Sequence, residues 1–428
     1  MRSRAAIASP AMMAALIVRP STESARVTGT QETTLPRDPR HVGLRLPSSG
    51  HRWWAIPITV ISGLFLAGAT AASVLPSKLV AETENVRLGV DQAAPYARTP
   101  ASAQPVDDLI EFGDLGDLAD QYPPDGDIYF VTVTEPEQSL LSWWVGHDDP
   151  AIQFMTEEEK FGVQTPEQRR VFALESMRSA EQVAQYVALK RVGFEVELVP
   201  GDVLIEAMVC LEPNPEGTEC VTWSPSDEVL EPGDRIIEVE GEKLDGVEDL
   251  TRILKGRKPG DIVTMRIDPS EGDEVVVDVE LTASPEEPDR TIVGFYPFDT
   301  RRVELPFELD IHTGQIGGPS AGLAFTLTLI DELTEGELTG GGRVAVTGTI
   351  ELDGTVGAIG GLRQKASTVA QAGVDVFIVP LSQGEEDIAA ARKSGGDGLT
   401  IITVSTLEEA ISALEKLGGD AIAAAPAG

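Results

Sequence analysis

Between Ala321 and Leu333 the chain has almost no polar face. Leu323, Phe325, Leu327, Leu329, Ile330 and Leu333 fall on all sides of a 3.6-residue helix, so this segment reads as a helix buried all round. Just before it, Val303, Leu305, Phe307, Leu309 and Ile311 alternate with Glu304, Pro306, Glu308, Asp310 and His312. That is the period of a half-buried strand, with Pro306 suggesting an edge. Downstream, 374–380 and 399–404 read as strands, and 362–372, 385–394 and 407–417 as helices. Thr406 or Ser405 provides the cap of the last. The fold class this predicts is α+β around a mixed sheet.

Strand and helix are joined by Gly317-Gly318-Pro319-Ser320-Ala321-Gly322, which contains G-x-S-x-G, a turn that exposes a nucleophilic serine. Read alone, Ser320 is only a helix cap. The four histidines are His41, His51, His147 and His312, and none follows Ser320, as the histidine-dependent hydrolases with this pattern require. Lysine is the alternative base. Lys365 lies on the apolar side of the 362–372 helix with Leu362, Ala366 and Val369, in its first turn. Desolvation and the positive end of the helix dipole both favour its neutral amine. A snorkelling lysine is the plainer reading of Lys365 alone, and the Ser320 motif outweighs it. Lys393 and Lys416 have polar neighbours and read as solvated.

Asp310-Ile311-His312, Gly318-Pro319-Ser320-Ala321-Gly322, Val346-Thr347-Gly348-Thr349-Ile350 and Gly360-Gly361-Leu362-x-x-Lys365 resemble, in order and spacing, the Lon-type serine protease domain. The resemblance covers 291–418. It implies Ser320 as nucleophile, Lys365 as base and Thr347 as a supporting hydroxyl near the lysine. Gly318 is expected to let a substrate backbone approach. Lon proteases carry an ATPase module, and here no Gly-Lys dipeptide occurs, so the phosphate-binding loop G-x-x-x-x-G-K-[ST] is absent. Residues 123–191, with a strand near 128–133 and a helix over 165–191, resemble the opening of such a domain through Met177, Ser179 and Tyr186-Val187.

Residues 192–283 resemble a PDZ domain. Pro232-Gly233-Asp234 precedes the strand Arg235–Val239, a short helix covers Val247–Lys255, and Pro259-Gly260-Asp261 leads into Ile262–Ile267. Such domains bind an extended peptide as an added strand. Val192-Gly193-Phe194-Glu195-Val196 is the candidate peptide-binding loop, with Gly193 and Phe194 as contacts.

Net charge is −37, with 33 Lys+Arg against 70 Asp+Glu. The first 80 residues hold nine Lys+Arg against three acidic residues, a balance of +6, and the acidic remainder argues against nucleic-acid binding. Trp53–Leu75 carries no charge and is long enough to span a bilayer. Arginines on its N-terminal side place 1–52, a polar disordered tail, in the cytosol and the acidic body outside. A cleaved signal peptide, with Ala69-Thr70-Ala71 as its site, is the competing reading. Residues 76–122 read as a linker and 419–428 as a tail. Cys210 and Cys220 flank a turn-rich segment and fit a disulfide-stapled loop in an external compartment; buried free thiols are the alternative. No metal site and no cofactor are expected.

The sequence thus predicts a membrane-anchored, extracytoplasmic, ATP-independent serine endopeptidase. Its partners are unfolded or flexible polypeptides selected by the PDZ domain, with homo-oligomers carried over from Lon-type rings. The alternative is a PDZ adaptor whose protease-like domain is a scaffold, and a generic esterase is disfavoured by the missing histidine.

Overall fold

The computed structural model describes residues 55–85, 90–116, 118–161, 165–213, 220–269 and 272–422. The expectations for the 1–52 tail, for Trp53 and Trp54, and for the tail from 423 onward lie outside these residues. The described residues from Ser62 onward form one compact unit. Helix α1 (Ala55–Val74) contains no charged residue. At about 1.5 Å per residue its 20 residues match a bilayer's hydrocarbon thickness.

In chain order the principal strands that follow are β1 (Tyr96–Pro105), β2 (Ile110–Phe112), β3 (Asp127–Thr134), β4 (Gln153–Met155), β5 (Glu197–Met208), β6 (Arg235–Val239), β7 (Ile262–Asp268), β8 (Val275–Glu280), β9 (Phe295–Glu304), β10 (Leu309–Ile311), β11 (Arg343–Val346), β12 (Val376–Pro380) and β13 (Thr400–Val404). The principal helices are α2 (Pro166–Val192), α3 (Val247–Leu254), α4 (Gly322–Leu333), α5 (Leu362–Gln371), α6 (Glu385–Gly395) and α7 (Leu407–Leu417).

The mixed sheet runs β13-β12-β11-β3-β1-β4. Its first four strands are parallel, and β1 pairs antiparallel with both β3 and β4. Successive strand residues point to opposite faces. Phe130 and Ile378 therefore enter one core with Met177, Phe325 and Leu414. Val131 and Phe377 enter a second core with Ala366, Val369 and Ile388. One face is covered by α4, with α2 and α7 packed on it, and the other by α5 and α6. All twelve residues of α4 are buried, as its apolar circumference demands. Each large side chain so buried contributes about 1.5–3 kcal/mol.

The second sheet is antiparallel, in the order β8-β7-β6-β5-β9, with α3 beside it and its own core of Val203, Ile205, Ile236, Leu250, Met265 and Val279. The two P-G-D turns are left-handed at Gly233 and Gly260, with φ of 97° and 88°, which a residue with a Cβ rarely adopts. The Cys210–Pro213 and Cys220–Trp223 strands form a hairpin closed by a Cys210–Cys220 disulfide.

Four expectations are corrected. Residues 76–122 are not a linker: β1 and β2 lie in them, and β1 is a strand of the mixed sheet. Residues 291–418 do not form the peptidase fold by themselves, because that sheet also takes β1, β3 and β4 from 96–155. Nor does the PDZ-like unit end at 283. Strand β9 pairs with β5 along nearly its whole length, from Phe295 opposite Met208 to Glu304 opposite Glu197. The single strand expected over 303–312 is broken around Pro306. Its first part belongs to the PDZ-like sheet, and Leu309–Ile311 pairs instead with β2.

Candidate active site

The turn carrying Ser320 is fastened on two sides. Gly318 N–H donates to Ala173 O on α2 at 2.7 Å, and Gly318 has φ of 94°, so a side chain there would be strained. On the other side the Ser320 carbonyl accepts from Gly348 N–H at 3.0 Å and from Thr347 Oγ1 at 3.1 Å. Leu323 N–H returns a bond to Gly348 O at 3.1 Å. Ser320 is thereby held just before the N-terminus of α4, where the helix dipole favours negative charge.

Lys365 arrives from the opposite face of the sheet. The Gly360-Gly361 turn starts α5, and the lysine side chain is 2% exposed. Its Nζ lies 2.6 Å from Ser320 Oγ and donates to Thr347 Oγ1 at 3.1 Å. Burial, then the positive charge of Arg98, brings its pKa down from 10.5 to about 7. Thr347, itself fully buried, bridges the two by accepting from the lysine and donating to the serine backbone.

Ser320 and Lys365 line a cleft of about 360 Å³ whose walls include Gln104, Thr132, Met177, Ile316 and Gly360, with Thr347 buried behind them. Gly318 stands beside Ser320 with nothing within 4 Å of where its Cβ would lie. His312 is exposed and faces Glu111 at 3.1 Å.

Gly193 and Phe194 do not form an open peptide-binding loop. Gly193 is the left-handed C-cap of α2, and the Phe194 ring packs edge-on against Phe307 at 5.4 Å. The edge of β5 that follows is already paired with β9. The sequence reading also missed Arg98, a lone arginine among prolines and alanines with no motif to mark it. It missed Gln104 because β1 lacks apolar alternation, and Thr132 because nothing in the expected strand β3 marks it as facing the cleft. Among the described residues, no cluster of histidine, cysteine and carboxylate side chains is suited to a metal ion.

A serine hydroxyl and a buried, weakly basic lysine in a cleft bordered by β1 and β3 of a mixed sheet define a serine–lysine hydrolase type of site. Residues 309–416 match the family model of the Lon protease (S16) C-terminal proteolytic domain, and this chain carries a Lon-type serine peptidase domain. The Lon protease of Ureaplasma parvum serovar 3 is 32% identical over 138 residues, 28% of this chain and 17% of that one. The Lon protease of Clostridium acetobutylicum is 40% identical over 77 residues, 18% of this chain and 10% of that one. The chain thus spans less than a fifth of the length of either relative. Among solved structures, the PDZ domain of the SdrC-like protein from Listeria monocytogenes is similar at 21% identity and a TM-score of 0.17. That likeness covers 22% of this chain and 85% of that one.

Proposed function

We propose that this chain is a membrane-anchored serine endopeptidase that acts outside the cytoplasm, without ATP, on unfolded or flexible polypeptide segments. The observation that carries the chemistry is the 2.6 Å approach of Lys365 Nζ to Ser320 Oγ at a buried position. The neutral amine takes the Ser320 proton as Oγ attacks the peptide carbonyl. The resulting ammonium gives that proton to the departing amine, leaving an acyl-enzyme. Water, deprotonated by the same lysine, then releases the acyl group and restores the serine. Thr347 keeps the amine aimed at Oγ. The cleft admits an extended chain and no folded domain, and the sequence holds no phosphate-binding loop to couple to an unfolding motor.

The anchor is α1, supported by its length, its lack of charge and the arginines before it. The Cys210–Cys220 disulfide supports an oxidising compartment. The PDZ-like unit serves substrate selection. It borders a second cleft of about 780 Å³, where Val247 and Phe298 on its side face Ser179 and Leu352 of the peptidase.

The test is labelling of the full chain by a fluorophosphonate together with casein hydrolysis in the absence of nucleotide. Both are expected in the native chain, and both are lost in Ser320→Ala. Labelling that survives Ser320→Ala would refute the assignment. A native chain that is folded yet neither labels nor cleaves would point to a scaffold instead.

A further inference from the structure

We propose that Arg98 is a positioning residue for this site: fixed by Glu135, it braces the Gly360-Gly361 turn from which α5 carries Lys365 to Ser320, and it sets a second positive charge behind the amine. The inference rests on the serine–lysine reading above and adds a residue that no motif contains.

The geometry is specific. Arg98 is on β1, against which α5 packs. Its Nε donates to Glu135 Oε1 at 2.8 Å, and its Nη2 lies 2.7 Å from the same oxygen. Glu135 is the residue after β3 and is largely buried, and Arg169 of α2 reaches its other oxygen at 3.4 Å. The carboxylate is thus gripped from two sides and holds the guanidinium in place. The aliphatic part of Arg98 reaches the turn. A Cβ added at Gly361 would come within 3.0 Å of Arg98 Cδ and 3.1 Å of Val133 Cγ1, and one at Gly360 would lie 4.0 Å from Arg98 Nη1. Gly361, with φ of 73°, is therefore enclosed by Arg98 and Val133. Four residues later the same helix presents Lys365.

Charge on Arg98 opposes a second positive charge in the same enclosed region, which favours the neutral amine. The other charged groups around it are placed differently. Arg363, on α5 itself, is half-buried at the helix start. Glu385, Glu386, Asp387, Arg392 and Lys393 of α6 are exposed. Asp331 and Glu332 stand at the far end of α4 from Ser320, and Thr347 is uncharged. Arg98, held by Glu135, is the cation whose field acts on Lys365.

The experiment is the pH profile of fluorophosphonate labelling for the full chain, the native form beside Arg98→Gln and Arg98→Lys. Arg98→Met serves if the glutamine variant does not fold. In Arg98→Gln the rising limb moves to higher pH, so labelling near pH 6 drops by about threefold or more while the alkaline end falls far less. Arg98→Lys keeps the charge and returns the limb toward its native position. A uniform loss at all pH values with an unmoved limb would overturn the proposal, as would an equal shift in both variants. A native profile with no rising limb would overturn the lysine assignment first and this proposal with it.

Discussion

Replacing Lys365 by methionine should abolish hydrolysis and yet make the protein more stable near neutral pH. The side chains are similar in length, so Met fills the same buried space. Folding takes an amine with a pKa of 10.5 into a site where it is about 7. The unfolded chain therefore binds more protons there than the folded one, and the folded state is penalised until the pH passes the unfolded value. Worked through the two pKa values, the penalty is about 4 kcal/mol at pH 7, about 2 kcal/mol at pH 9, and nearly gone above 10.5. Against it stand the hydrogen bonds to Ser320 and Thr347, worth about 1 kcal/mol each. Lys365→Met should then gain roughly 2 kcal/mol at pH 7 and nothing at pH 9, and become the less stable form above that. Thermal melts of the two proteins at several pH values read this directly. The sign of the difference should cross near pH 9. A variant that is less stable at pH 7, or a difference that ignores pH, would refute the account of a lysine held neutral by burial.

Two further outcomes follow from the same geometry. Thr347→Val removes the hydroxyl that joins the lysine to the serine backbone while keeping the shape. Turnover should fall by about tenfold or more with little change in KM, since the loss is of alignment in the transition state; a pure KM effect would mean that Thr347 contacts substrate instead. Cys210 and Cys220 should be found linked in unreduced peptides by mass spectrometry. Cys210→Ser with Cys220→Ser should cost roughly 2–3 kcal/mol for a loop of this size, measured by denaturant titration of the full chain; recovery of both cysteines as alkylated thiols from native protein would contradict the disulfide.

The sequence was most readable where chemistry and backbone coincide. Gly318 and Gly361 adopt backbone conformations that only glycine takes without strain, so the turns bearing Ser320 and starting α5 are marked by residue type. Helix α4 announced its burial by lacking a polar face. Strand β1 was hidden for the opposite reason. Its sequence, YARTPASAQP, offers small residues and two prolines rather than alternating large ones, because α5 packs directly against it. Its irregular register between Pro100 and Ala103 disguises it further. Arg98 could not be found from sequence for the same reason. The exchange of β9 into the other sheet was also illegible, since its alternating pattern is satisfied equally well by pairing with β5 or by continuing toward β10. Pro306 marked the break but not which sheet each half would join.

The mixed sheet sets a timetable. Strand β3 pairs with β11, Asp127 opposite Arg343, and everything from α2 to the end of α4 is made between them. The PDZ-like unit within that interval can form early, because β5 and β9 bring its two ends together at Glu197 and Glu304. Its folding shortens the gap that β3 must wait to close, but each halving of a loop is worth only about 0.6 kcal/mol. The slow step is the wait itself: pairings between strands so distant in sequence are late and dominate the folding time. Lys365 is synthesised after β11, and the amine meets Ser320 only once the sheet beneath α5 exists. A nascent chain therefore carries its serine without its base until the sheet beneath α5 has formed.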